Sequence, residues 1–243
     1  MNFRLFITAW LAGLPGVFAV ALLALPMLVA GRSLPVPLWV VQLANAAQGA
    51  VLLALAVLVG VLLAPKVKLV APVLEAIAAA KPVAGAFRPQ LVPGLVGGIV
   101  GAGLLGLFAH YSPEALTQLH AKVAMPAIVR LLYGGITEEL LVRWGLMTLL
   151  VWLFWRVFQG GAGTPSRLVV LLAIGVSAIA FGLGHLPAAA ALVGHLPVSL
   201  VLYIVLANAV FGVVAGWLYW RFGLEAAMVA HITVHVLFLM VSP

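Results

Sequence analysis

The sequence predicts an all-α fold, a polytopic membrane bundle of about seven transmembrane helices with eight as the alternative. Three observations carry this expectation. Of the 243 residues, 66% are apolar or aromatic and only 7% are charged, against roughly 25% charged in a soluble domain. The apolar residues gather into runs long enough to cross a hydrocarbon core, which takes about 20 residues per helix. The gaps between runs leave no room for a sizeable soluble domain, so residues 1–243 read as one integral membrane domain, whose conspicuous buried polar residues fall within 124–243.

The runs are Leu5 to Ala30, Val36 to Ala64, Leu91 to Ala109, Ala124 to Phe158, Leu168 to Leu186, Val198 to Trp220 and Leu224 to Val241. The first follows Met1 to Arg4 and is far longer than the ~7–15 residues of a signal-peptide core, so it reads as a retained span. The fourth would exceed the ~30 Å hydrocarbon thickness if it were one straight α-helix. It is therefore expected to break at Gly134-Gly135, freeing a helix N-terminus just before Glu138. Between the second and third runs, residues 65–90 carry Lys66, Lys68, Lys81 and Arg88 around the alanine-rich Val73 to Ala80. This segment reads as an amphipathic surface helix, or else as an extra span. Gly94, Gly97, Gly98 and Gly101, then Gly212 and Gly216, have the spacing of small residues that let helices approach closely.

The net charge of +7 is spread among short gaps rather than gathered into a stripe, so nucleic acid is not an expected partner. It fits the positive-inside rule. With seven spans, one side receives Arg4, Lys66, Lys68, Lys81, Arg88, Arg156, Arg167 and Arg221, and the other receives Arg32 and Lys122. That asymmetry predicts a cytoplasmic N-terminus and an external C-terminus in the cell (inner) membrane. The absence of cysteine excludes disulfides, thiolate zinc sites and thiol catalysis. There is no Asp, so the acidic residues are Glu75, Glu114, Glu138, Glu139 and Glu225.

Glu138, Glu139, Arg143, His185, His231 and His235 lie inside apolar runs, where a charged group costs ~2.5 kcal/mol or more at the bilayer centre. Glu139 and Arg143 are at i and i+4 in the order that favours an ion pair. Glu138 is rotated by about 100° from its neighbour and has no local counter-charge, which suits a general base. His185 ends Phe181-Gly-Leu-Gly-His185, and His231 and His235 share one face of the last run. Counted from the nearest arginines, Glu138 and His185 lie about 27 Å deep and the two last-run histidines about 15 to 21 Å. Helix tilt can bring these depths to one site. His110, His120 and His195 sit at run ends or in loops and read as interfacial. Singly, each buried polar residue could be structural, and Glu139 with Arg143 reads as a structural pair. Jointly, they point to a shared site.

At these residues the chain resembles the CAAX prenyl protease and bacteriocin-processing group of intramembrane proteases, also called CPBP or Abi. That group carries EExxxR, FxxxH and HxxxN or HxxxD on separate membrane helices. Here the elements read Glu138-Glu139-Leu-Leu-Val-Arg143, Phe181 to His185, and His231 to His235. The resemblance covers about Tyr133 to the C-terminus. It departs at His235, where the group has an amide or carboxylate, and at Trp144, where glycine commonly follows the arginine.

The resemblance implies hydrolysis of a peptide bond in a membrane-associated or hydrophobic peptide. In the preferred mechanism, without cofactor, Glu138 and His185 activate water, His231 and His235 donate to the oxyanion, and Glu139, Arg143 and Phe181 support them. The rival uses zinc held by His185, His231 and either His235 or Glu138. HExxH is absent. Two alternatives from other classes remain, a proton-coupled or ion transporter and a catalytically silent scaffold or immunity protein. The sequence leaves the oligomeric state open.

Overall fold

The computed structural model describes residues 2–112 and 125–241, and every regular element in them is helical. Among the described residues, seven helices are long and apolar enough to cross a membrane: Phe3–Leu28, Leu38–Val67, Ala84–His110, Ala127–Gln159, Arg167–Val193, Val198–Phe222 and Leu224–Val241. They are called the first to seventh spans below. The expected runs match them in order. The third span starts earlier than its apolar run because Arg88 and Gln90 lie within its opening turns. Glu114, His120 and Lys122 lie outside the described residues.

Within 65–90 the structure has a tight turn at Ala64–Val67 and a seven-residue helix, Pro72–Ala78, too short to cross a bilayer at ~1.5 Å per residue. This helix is held at the start of the seventh span. Glu225 Oε1 accepts from the backbone N–H groups of Val73 and Leu74 at 3.0 and 2.9 Å, and Leu224 N–H donates to Val70 O at 3.1 Å. Leu69, Ala71 and Leu74 are buried beneath it. Gln90 Oε1 in turn accepts from Ala226 N–H at 3.1 Å, satisfying one of the unpaired donors at that helix start.

Glycines set the spacing of the bundle. Any Cβ at Gly94 or Gly98 would strike Val229 or Thr233 of the seventh span, and at Gly97 or Gly101 would strike Leu218 or Phe211 of the sixth. Gly212 and Gly216 likewise face Ala178 and Ile174 of the fifth. These contacts are the close approach that the glycine spacing predicts.

The expected break at Gly134-Gly135 is not there. The fourth span runs through these residues with π-helical winding over Arg130–Glu138 and Leu140–Met147, so Glu138 has no free helix N-terminus before it. The wider winding absorbs part of the excess length. The two glycines serve packing instead: a Cβ on Gly134 would strike the His235 ring and one on Gly135 the Ile232 side chain. Thr137 Oγ1 anchors this winding by donating to Gly13 O of the first span at 2.7 Å.

Candidate active site

The most deeply buried charged group among the described residues is Glu139, with no exposed surface. Its Oε1 accepts from His231 Nδ1 at 2.8 Å, and its Oε2 lies 3.2 Å from Arg143 Nε. The second contact is coulombic more than directional, since Oε2 has no aligned hydrogen bond. Arg143 is 1% exposed, reaches toward Gly212 O of the sixth span, and places Cζ 4.7 Å from the centre of the Phe181 ring. A cation over an aromatic face recovers part of what burial costs. One carboxylate thus ties the fourth span to the seventh, and its partner arginine touches the fifth and sixth. The predicted Glu139–Arg143 pair is present, and His231 is a second partner that spacing along one helix cannot show.

Glu138 points away from this cluster, as its rotation predicts. It is half-buried, and no ion pair to it occurs among the described residues. Instead it lines a cavity of about 190 Å³ together with His185, His231 and His235. The four site residues predicted from three separate spans therefore meet in one space. The cavity is also lined by Phe181, Gly134, Arg130, Tyr133, Asn208 and Phe211. Arg130, Tyr133 and Asn208 were missed by reading charge motifs alone. The available signal was plain polarity inside an apolar run.

Hydrogen bonds fix two of the three imidazoles. His185 Nδ1 lies 2.9 Å from Phe181 O, and a carbonyl can only accept, so Nδ1 carries the proton. His231 Nδ1 faces a carboxylate that Arg143 already neutralises. Both rings thus have Nδ1 engaged, that of His231 being turned to Glu139, and line the cavity with the rest of the imidazole. The His235 ring stacks on His231 with centroids 4.8 Å apart and planes 21° apart.

The same tautomers bear on zinc. A ring with Nδ1–H bound to a carbonyl or carboxylate is the usual form of a metal-ligating histidine. Among the described residues, however, no three His, Cys, Asp or Glu side chains are grouped to hold an ion.

Fold and site together define a polytopic helical membrane protein with a cavity into which its fourth to seventh spans bring ionisable and amide side chains. The model of the type II CAAX prenyl endopeptidase family, Rce1-like, matches residues 120–237, a segment that contains Glu138, Glu139, Arg143, His185, His231 and His235. Over this segment the chain is similar to the Rce1-like family of type II CAAX prenyl endopeptidases, within the CPBP group, and it is an integral membrane protein. Neither the curated proteins nor the solved structures contain a match to the chain.

Proposed function

We propose that the chain is an intramembrane endopeptidase that hydrolyses a peptide bond of a membrane-associated peptide with Glu138 as general base. One observation carries the reading: an unpaired carboxylate shares a cavity with three imidazoles inside the segment that matches a protease family. In this reading His185 Nε2 accepts a hydrogen bond from the attacking water and orients it. Glu138 takes a proton as the water oxygen bonds to the scissile carbonyl carbon. The C–N bond then breaks, and Glu138 returns the proton to the leaving amine. Glu139 holds His231 in place, and Arg143 with Phe181 holds Glu139.

The side of access follows from the topology. Arg130 opens the fourth span, His185 closes the long helix of the fifth, and His235 lies in the C-terminal half of the seventh. All three lie in the half of the bundle opposite Lys66, Lys68 and Arg221. In this reading, with the basic side taken as cytoplasmic, the cavity belongs to the external half of the membrane and the C-terminus is external.

Zinc remains a second reading because the Nδ1 bonds of His185 and His231 are those that ligating histidines make. The test is cleavage of an internally quenched, farnesylated peptide with a CAAX end by the purified chain in proteoliposomes, run beside metal analysis. The reading expects turnover by wild type, none by Glu138→Gln, and no stoichiometric zinc. Equal turnover by both overturns it.

A further inference from the structure

The hydrolytic reading needs N–H groups aimed at the carbonyl oxygen as it gains charge, and the cavity has few to give. Glu138 is an acceptor. His185 and His231 turn their Nδ1 atoms to Phe181 O and Glu139, so those nitrogens are engaged. His235 can donate one. Arg130 and Tyr133 of the fourth span also line the cavity, and Tyr133 packs in addition against the cluster of Ala19, Ala24 and Val129 beside the first span.

Asn208 is a further donor, the one carried by the sixth span. It sits mid-way along the sixth span and lines the cavity opposite the helix that carries Glu138. Phe211, three residues on, has its ring centre 4.6 Å from that of His231, which places Asn208 within one helical turn of the histidine. Asn208 Nδ2 donates to Ile204 O at 2.8 Å. Because that oxygen can only accept, the bond fixes which end of the amide is nitrogen. It uses one of the two N–H groups and leaves the other. An amide within a membrane span is costly unless it is bonded, and its back-bond to Ile204 satisfies only part of it.

We propose that Asn208 is a catalytic residue whose second N–H binds the oxyanion of the tetrahedral intermediate beside His235. This inference rests on the hydrolytic reading. It also accounts for the departure at His235: the amide that the family pattern places on the last helix stands here on the neighbouring one.

The experiment uses the full chain in proteoliposomes with the farnesylated, quenched CAAX peptide. Asn208→Leu removes both N–H groups, whereas Asn208→Thr keeps a hydroxyl that can bond Ile204 O but has no second donor. Both are expected to lower kcat by about 10²–10³-fold, the usual effect of losing one oxyanion donor. Affinity for the uncleaved peptide, measured in Glu138→Gln with and without Asn208→Thr, is expected to change less than threefold, with Tm unaltered in Asn208→Thr. A kcat within threefold of wild type in Asn208→Thr, with Glu138→Gln inactive, overturns the role of Asn208 and leaves the hydrolytic reading standing. A fall in peptide affinity equal to the fall in kcat overturns it as well, since it marks a packing role. An inactive wild type overturns the reading and the inference together.

Discussion

Glu139 and His231 are 92 residues apart in the chain and 2.8 Å apart in the bundle. The bond joins the fourth span to the seventh and sets the His231 tautomer, and its carboxylate also neutralises Arg143. One side chain thus fixes helix docking and the protonation of the ring beside the cavity.

Glu139→Gln keeps the size of this side chain but removes its charge, leaving Arg143 buried without a counter-ion. Breaking a buried pair from one side costs about 3–5 kcal/mol, so the variant is expected to melt well below wild type in detergent and to accumulate poorly. An unaltered melting temperature would argue against the pair as a stabilising element.

Glu138→Gln should behave in the opposite way. Glu138 has no ion pair among the described residues and is half-buried at the cavity, so the amide leaves no orphaned charge and the fold should be kept. Cleavage should fall by at least about 10²–10⁴-fold, the contribution of a positioned general base. Turnover near that of wild type in a protein of normal Tm would remove Glu138 from the base role.

The site was legible because charge is costly in a bilayer. A chain that avoids acidic residues elsewhere makes Glu138, Glu139 and Arg143 conspicuous, and i, i+4 spacing then pairs two of them. Asn208 escaped because an amide carries no charge and breaks no periodicity. The π winding escaped because a glycine pair reads equally as a break or as a notch for a neighbour, and only the approach of His235 and Ile232 decides between them. The Glu139–His231 bond depends on the docking of two distant helices. The same holds for Glu225, whose buried carboxylate caps the helix Pro72–Ala78 although it stands 147 residues beyond that helix.

Gly134→Ala tests the notch. A Cβ there would meet the His235 ring, and relieving such overpacking commonly costs about 1–3 kcal/mol. The ring must move, so cleavage should fall by more than the stability loss alone explains at a temperature where the variant is folded. Wild-type turnover in Gly134→Ala would mean that the ring position is not needed for function.

Orientation is tested by reporter fusions. Eight basic residues on one side against two on the other predict a cytoplasmic N-terminus and an external C-terminus. Fusions that place both ends on one side would contradict the seven-span arrangement.

His235→Asn separates the two chemistries. His235 stacks on His231 and lines the cavity with Glu138. If it gives the oxyanion one N–H, asparagine retains a donor of similar reach. Cleavage should then stay within about tenfold of wild type, with no change in metal content. If His235 is a zinc ligand, an amide is a poor replacement, and turnover should vanish together with bound metal. The metal-free expectation is the one that gives Glu138 the base role in the cavity it shares with the three imidazoles. Metal analysis of wild type and variant beside the peptide assay and a chelator control decides the matter. One zinc per chain, lost in the variant along with turnover, would overturn the metal-free mechanism.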